Sequence, residues 1–323
     1  MLADLKYRAT HEPLVEPGGA DLHARDMTAT FSAEMTLAEA QRRLGEIGQW
    51  LPVDGWTGAT LGRLVEVNST GPLRLGFGAW RDLLLGVQFL NGRGELITAG
   101  GRTVKNVAGY DLTKFMVGQQ GMFGRIVTVT TRTYRRPDGA VVARYGADGG
   151  LVARLLDTAL RPQWAMWGKG EGISVGYLGD ETTVAWYEGK LRQGGAAGVE
   201  RRAVEADVAE RAGKWDVGRD ANDGSVPWRA SVPPARLGQL WEGSGSVQGW
   251  SDVAFGSTMG RLRVGVGRQC LEEAVRAVGG TLRVGEGAAA TFSTTAAERQ
   301  IIERLKAAFD PDGVLNPLPW QRS

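Results

Sequence analysis

Three glycines mark the part of this sequence whose residue types and spacing best suit ligand binding. Gly118, Gly121 and Gly124 are spaced three residues apart and lead into the β-branched stretch IVTVTT. Because glycine has no Cβ, such a loop can bring backbone N–H groups close to a bound molecule where any side chain would clash. Taken alone, each of these glycines is better explained by an ordinary turn.

A second candidate segment precedes that loop. Residues 105–111 read KNVAGYD and combine an amide, a glycine, a phenol and a carboxylate within seven positions. Asp111 has an alternative role, because it stands directly before LTKFMVG and an aspartate accepts N–H bonds well at the start of a helix. The two interpretations of Asp111 remain open.

Residue counts exclude iron–sulfur clusters, disulfide frameworks and Cys/His zinc sites built from this chain alone. Cys270 is the single cysteine, and His11 and His23 are the only histidines. Iron–sulfur clusters, zinc sites and disulfide frameworks all need more of these ligands than the chain has. Neither histidine is close in sequence to the two candidate segments, so no general base is evident there.

Composition and charge narrow the class of protein further. The 323 residues carry 38 basic and 36 acidic side chains, a net charge of +2, which predicts no nucleic-acid partner. No apolar run reaches the roughly 18 residues that a membrane-spanning helix needs, and the first residues lack the pattern of a leader. These features predict a cytoplasmic location.

The elements that must position the candidate segments follow from periodicity and turn signals. TLAEAQRRLGEIGQWLP has helical spacing with Thr36 as N-cap, residues 83–90 and 95–101 form strands around the NGRG turn, and residues 124–135 form another strand. The turn at 136–139 predicts a domain boundary near residue 137. Beyond it, we expect strands at 182–188 and 252–257, one helix over 198–213, and an antiparallel sheet covered on one side by helices.

Taken in order along the chain, these motifs resemble a known flavoprotein family. The stretch TLAEAQRRLGEIGQWLPVD, the ATLG and NxxGP turns, RDLLLGVQFLNGRGE, KNVAGYDL and GxxGxxG are similar to the FAD-binding subunit of glycolate oxidase, in the vanillyl-alcohol oxidase or p-cresol methylhydroxylase superfamily. The end of the chain resembles the closing helix and DPxGxLNP tail of the same family. The resemblance covers about residues 26–136 and 295–320.

The resemblance implies an α+β fold with three parts: an FAD-binding lobe of the p-cresol methylhydroxylase type at 1–137, an antiparallel α+β cap-like domain at 138–294, and a C-terminal helix and tail at 295–323 that return to the first lobe. It implies non-covalently bound FAD and an electron-transferring role in a glycolate or related 2-hydroxy-acid oxidase. The implied partners are a catalytic flavoprotein subunit and an iron–sulfur subunit, through which peripheral membrane association can arise. Two alternatives are a flavin-free assembly subunit that retains the fold and a free-standing FAD-dependent oxidoreductase.

The resemblance also implies a set of cofactor-binding positions. In the family, the matching backbones and polar groups surround the flavin and its pyrophosphate, and no catalytic residue is assigned. Asn316 is expected to anchor the tail rather than take part in catalysis. The implied positions are Thr60, Leu61, Gly62, Asn68, Gly71, Asn106, Gly109, Tyr110, Asp111, Gly118, Gly121, Gly124, Ile126 and Asn316.

Several positions depart from the family pattern. The strand that begins near residue 24 normally follows a lobe of about sixty residues with a PxGGG turn, and residues 15–19, VEPGG, are a candidate remnant of that turn. Arg63 stands where a second glycine is usual, and Arg125 stands where an aliphatic residue is usual. Either arginine can instead pair with a phosphate through its bidentate fork. The remaining departures are Glu34 for glycine, Glu66 for a small residue, and Met122 and Phe123 for Thr-Leu.

Overall fold

The computed structural model describes residues 12–101, 112–148, 150–215, 225–263, 267–284, 296–318 and 320. The chain divides into two compact units. Unit 1 comprises Met1–Thr70, Gly78–Arg136 and Ala288–Ser323, and unit 2 comprises Gly71–Phe77 and Pro137–Gly287.

The described helices and strands alternate along the chain as follows. The first half contains β1 Ala20–His23, β2 Thr28–Ser32, α1 Leu37–Glu46, β3 Gln49–Trp50, α2 Leu61–Glu66, α3 Arg74–Phe77, α4 Trp80–Leu83, β4 Leu84–Leu90, β5 Leu96–Gly100, α5 Leu112–Phe115, β6 Arg125–Arg132, β7 Tyr134–Arg135 and β8 Gly139–Tyr145. The second half contains α6 Leu151–Leu156, β9 Trp164–Gly168, β10 Gly172–Gly179, α7 Glu181–Gln193, β11 Gly198–Arg202, α8 Val204–Trp215, β12 Ser225–Ser231, a 3-10 turn Pro234–Arg236, α9 Leu237–Gly243, β13 Gly249–Asp252, β14 Ser257–Arg263, α10 Arg268–Ala277, β15 Thr281–Val284 and α11 Ala296–Phe309.

Unit 1 is built on an antiparallel sheet with the strand order β1-β2-β6-β4-β5. β2 is buried along its whole length, and helix α1 follows it with Thr36 as N-cap, as predicted, because the Thr36 hydroxyl accepts the Glu39 N–H at 3.2 Å. The predicted hairpin at residues 91–94 is also confirmed, since Asn91 Oδ1 accepts the N–H groups of Arg93 and Glu95. The sheet thereby positions β6, which directly follows the predicted glycine-rich loop at residues 118–124.

Unit 2 is one eight-stranded antiparallel sheet with the order β11-β8-β10-β9-β13-β14-β12-β15. Its connectivity repeats: β8-α6-β9-β10-α7-β11 and β12-α9-β13-β14-α10-β15 are both β-α-β-β-α-β units of the ferredoxin-like type. The sheet order of the second repeat is the reverse of the first, so the two repeats join through equivalent edge strands, β9 and β13.

Three local predictions in unit 2 are wrong. Residues 182–188 lie in helix α7, because Asp180 Oδ1 accepts the Thr183 N–H at 2.7 Å and Val184 and Leu191 face the core at helical spacing. Residues 198–202 form edge strand β11 rather than the start of a helix. Residues 253–256 form the turn between β13 and β14, in which Asp252 Oδ1 accepts the N–H groups of Ala254 and Phe255. Tertiary pairing overrides the β-branched and charged patterns at these sites.

The sheet of unit 2 is contacted on both faces. Strand β9 sends Trp167 into the main core, where its ring lies 3.5 Å from the Cβ position of Gly238 in α9, and sends Trp164 and Met166 to the other face. Those two side chains line a small cavity together with Asp207 and Arg211 of α8, which form a buried ion pair at 3.1 Å. The expectation of helices on one side alone is therefore wrong for α8.

Candidate functional site

Helix α2 carries the first group of predicted site residues. The Thr60 hydroxyl caps the helix by accepting the Arg63 N–H at 3.3 Å, and Leu61 is fully buried in the core of unit 1. The N–H of Gly62 donates to Ala33 O at 2.9 Å, and a Cβ on Gly62 would lie 2.9 Å from the Ala33 Cβ. Gly62 is therefore required for the close contact between α2 and the end of β2.

The loop at residues 118–124, here called the glycine loop, is attached to the C-terminal end of α2. The Gly118 N–H donates to Val65 O at 2.9 Å, and the Gln120 N–H donates to Glu66 O at 2.8 Å. These bonds satisfy carbonyls that the last turn of a helix leaves without a partner inside the helix. Asn68, with φ +50°, lies beside Gly118, with φ +84°, so the structure brings these two predicted residues together.

The second half of the glycine loop is held by a buried amide. Gln119 is 3% exposed, its Nε2 donates to Gly124 O at 2.9 Å, and its Oε1 accepts the Phe123 N–H at 2.9 Å. A Cβ on Gly124 would lie 2.4 Å from the Phe89 ring, and Ile126 is buried in the core of unit 1. Packing against the sheet therefore accounts for Gly124 and Ile126.

Asn316 reaches the same loop from the C-terminal tail. Its Nδ2 donates to Gln120 O at 2.7 Å and its N–H donates to Gly121 O at 3.1 Å. Gly121 has φ +73°, and a Cβ there would lie 2.6 Å from Asn316 Nδ2. These contacts agree with the expected anchoring role of Asn316.

Charged residues that depart from the family pattern lie close to one another beside α2 and the glycine loop. Arg125 pairs with Glu34 at 3.3 Å, and Arg63 lies 3.9 Å from Glu66. The Glu66 side chain is 19% exposed. Burial raises its pKa, while Arg63, the Ile126 N–H and Arg125 partly offset that shift. Each arginine that the sequence offered for phosphate binding thus lies against a carboxylate.

The VEPGG segment forms a turn that leads into an edge strand. The Gly19 N–H donates to Glu16 O at 2.7 Å, and the Ser32 N–H donates to Gly19 O at 2.9 Å as β1 pairs with β2. Leu14 N–H is held by Gln88 Oε1 at 2.8 Å. In this arrangement the two glycines serve the turn before β1.

The remaining predicted residues are not brought to this site by the described structure. Asn106, Gly109, Tyr110 and Asp111 lie outside the described residues. Gly71 belongs to unit 2, where its carbonyl accepts the Arg74 N–H at the start of α3. Among the described residues, no group of three or more His, Cys, Asp or Glu side chains could hold a metal ion. In the same part of the chain, no helix has the length and apolar character needed to cross a membrane.

An extended dinucleotide cofactor needs N–H donors directed at its phosphates and open space beside the glycines. The N–H groups of Gly62, Gly118 and Gln120 all donate to carbonyls of this chain, and protein atoms fill the Cβ positions of Gly62, Gly121 and Gly124. The described residues therefore bind one another and do not provide the contacts that the cofactor needs. No chemical step is assigned to the cofactor here.

Sequence reasoning missed Lys306 and Asp310. Both are buried, and Lys306 Nζ contacts Asp310 Oδ2 at 2.5 Å across one helical turn. The detectable signal is the i, i+4 spacing of Lys306 and Asp310 in the last turn of a helix, just before the DPxGxLNP tail. The same spacing also occurs at exposed pairs, so the sequence does not distinguish them.

Comparisons with known proteins agree with the expected resemblance. No family model matches the chain. Over 122 residues the chain is 32% identical to glycolate oxidase subunit GlcE of Escherichia coli, a match that covers 37% of this chain and 35% of that protein. Mitochondrial D-lactate dehydrogenase [cytochrome] of Arabidopsis thaliana is 30% identical over 122 residues, which cover 38% of this chain and 22% of that enzyme. The matches thus span about a fifth to a third of these relatives.

A solved structure matches far more of the chain. Alkyldihydroxyacetonephosphate synthase superposes with a TM-score of 0.70 over 92% of this chain and 66% of that chain, at 13% identity. The chain therefore has the α+β fold of the vanillyl-alcohol oxidase type, and its resemblance to the glycolate oxidase subunits is confirmed.

Proposed function

We propose that this chain is the FAD-binding, electron-transferring subunit of an oxidoreductase complex that acts on glycolate or a related 2-hydroxy acid. The observation that carries this proposal is the 122-residue similarity to GlcE, a subunit of glycolate oxidase. The similarity to D-lactate and D-2-hydroxyglutarate dehydrogenases supports the broader substrate class, a 2-hydroxy acid.

In this proposal unit 1 is the flavin lobe and unit 2 is the cap-like domain. Direct contacts to a non-covalently bound FAD fall to the segment that carries Asn106, Gly109, Tyr110 and Asp111. The described positions in α2, the glycine loop and the tail hold one another in place through the hydrogen bonds given above. When bound, a flavin supplies hydride and electron transfer, and the protein supplies orientation and charge.

The proposed partners follow from what the chain lacks. A flavin can pass electrons on only to an acceptor, and one cysteine cannot ligate an iron–sulfur cluster. We therefore assign the onward transfer to an iron–sulfur subunit and the oxidation of the substrate to a catalytic flavoprotein subunit. A cytoplasmic location and peripheral membrane association through these partners remain predictions.

The test is the absorption spectrum and released cofactor of the full chain purified with its co-expressed partners. We expect bands near roughly 370 and 450 nm and one FAD per copy of this chain beyond that held by the catalytic subunit. Gly109→Ala should lower the FAD content of this chain. Gly189→Ala is the matched control, because Gly189 is exposed in α7 with no atom within 4 Å of its Cβ position.

One observation favours a second candidate function. Protein atoms lie close to the positions that a Cβ would take on Gly62, Gly121 and Gly124. The packing of the described part of unit 1 is therefore complete without a ligand. A flavin-free assembly subunit would co-purify with the partners and contribute no FAD beyond that held by the catalytic subunit, even after FAD is added. That result would refute the flavin-binding proposal and favour the assembly role.

A further inference from the structure

The ammonium group of Lys306 is buried in unit 1 and fully bonded. Lys306 is 9% exposed, and its Nζ donates to Met122 O at 2.9 Å, to Asn316 O at 2.9 Å and to Asp310 Oδ2. A lysine ammonium has three N–H donors, and these three acceptors use all of them. A buried charge of this kind persists only when it is paired and hydrogen-bonded.

Asp310 joins that ammonium to the turn that follows α11. Its side chain is fully buried, its Oδ1 accepts the Val314 N–H at 2.9 Å, and its Oδ2 accepts the Leu315 N–H at 3.0 Å. Gly92 in the β4–β5 hairpin provides the space, because a Cβ there would lie 2.1 Å from Asp310 Oδ1. The carboxylate therefore fixes the tail relative to the helix and the sheet.

The tail in turn holds three consecutive carbonyls of the glycine loop. Gln120 O accepts from Asn316 Nδ2, Gly121 O accepts from the Asn316 N–H, and Met122 O accepts from Lys306 Nζ. Gln120, although it carries a side chain, has φ +55°, a conformation that costs about 1 kcal/mol or more and persists only where its surroundings impose it. The tail supplies such surroundings.

Fixing these carbonyls also fixes the opposite side of the loop. In a trans peptide the C=O and the following N–H point in opposite directions. The hydrogen bonds to the carbonyls of residues 120–122 therefore direct the Gly121 N–H away from the tail. The Met122 N–H donates to Gln119 O at 3.0 Å, and the Phe123 N–H donates to Gln119 Oε1 at 2.9 Å. Gln119 thus holds one side of the loop while Lys306 and Asn316 hold the other.

We propose that Lys306, Asp310 and Asn316 are positioning residues, through which the C-terminal segment sets the conformation of the glycine loop. This coupling between tail and loop does not depend on the proposed function. Because coupling between two sites is reciprocal, a substitution that loosens the loop should also loosen residues 310–316.

Hydrogen exchange in the full chain without added cofactor tests the tail-to-loop coupling. Lys306→Met should raise exchange at residues 118–123 and 314–316 by about tenfold or more while β4 and β6 keep their protection. Arg304→Met is the matched control, since it removes a positive charge from an exposed position of the same helix. Asn316→Ala is a milder variant that removes the Nδ2 donor, keeps the backbone N–H that donates to Gly121 O, and should loosen residues 118–121.

Unchanged loop exchange in Lys306→Met, or an equal rise in the loop and the strands, overturns the proposal. The measurement uses the chain without added cofactor, so it decides whether the tail positions the loop whether or not the wild-type chain binds FAD.

Discussion

Substituting Gly121 by alanine tests whether this position requires glycine because of packing against Asn316 or because of contact with a ligand. Gly121 has φ +73°, where an L side chain costs about 1–2 kcal/mol. The new Cβ would also lie 2.6 Å from Asn316 Nδ2, so the Asn316 side chain must leave Gln120 O, and the loss of that hydrogen bond costs about 1 kcal/mol. We expect Gly121→Ala to lower the free energy of unfolding by about 2–3 kcal/mol.

A double-mutant cycle isolates the contact with Asn316. Asn316→Ala alone should cost about 1 kcal/mol, and the double variant Gly121→Ala/Asn316→Ala should cost little more than Gly121→Ala, because the clash has already removed the bond. Gly48→Ala is the matched control for backbone strain. Gly48 is also in unit 1, has φ +67° and has no atom within 4 Å of its Cβ position, so it should cost about 1–2 kcal/mol.

The assay is urea denaturation followed through hydrogen exchange of β4 and β6, which reports on unit 1. Gly121→Ala could lower the free energy of unfolding no more than Gly48→Ala does, with an effect that adds fully to that of Asn316→Ala. Asn316 would then not pack against the Cβ position of Gly121. The packing explanation would then be refuted. A loss of bound FAD from a Gly121→Ala protein of unchanged stability would assign this glycine to the ligand instead.

Three further changes test other parts of the structure. Glu66→Gln should raise the free energy of unfolding at pH 7. Burial raises the pKa of the Glu66 carboxyl, so the wild type loses stability as the pH rises through that pKa. The gain in stability of the variant should vanish in urea titrations below about pH 4, where the carboxyl is neutral in both the folded and the unfolded state. Asp180→Ala should lower the thermal stability of unit 2 by about 1 kcal/mol through loss of the α7 cap, and an unchanged melting curve would contradict that role. Gly176→Ala should lower the free energy of unfolding, measured in urea, by about 3 kcal/mol, because its Cβ would lie 1.9 Å from Trp164 Nε1. Gly189→Ala, at an exposed position inside helix α7, should instead raise it by up to about 1 kcal/mol.

Local signals predicted the elements that precede the candidate site. The Thr36 cap, the hairpin at 91–94 and the alternating strand before residue 132 were all readable because short-range hydrogen bonds and side-chain alternation determine them. The strand predicted at 182–188 failed because its β-branched residues indicate a strand, while Asp180 and the core contacts of Val184 and Leu191 make a helix. Local propensity is a weak signal when the buried face decides.

The candidate site was only partly predictable for a related reason. The order of the motifs along the chain selected Thr60, Gly118 and Asn316 as candidate positions, but it did not predict which atoms each residue contacts. Lys306 was missed because its three acceptors come from the glycine loop, the tail and its own helix, and such a convergence leaves no local pattern. The reversed strand order in the second half of unit 2 depends on pairing between distant strands, which no local pattern reports.

Packing within this chain accounts for two glycines of the GxxGxxG pattern. A Cβ on Gly121 would meet Asn316 and a Cβ on Gly124 would meet Phe89, so both glycines are explained whether or not the chain binds a flavin. Their presence here therefore reports the packing and does not by itself indicate the cofactor. The packing of unit 1 does not require four charged residues beside the same loop. They lie in two pairs, Arg63 with Glu66 and Arg125 with Glu34. Replacing these four residues together with the small or apolar residues usual in the family should therefore leave the fold of unit 1 intact. Any change in FAD retention, measured by cofactor release, would then report directly on the site.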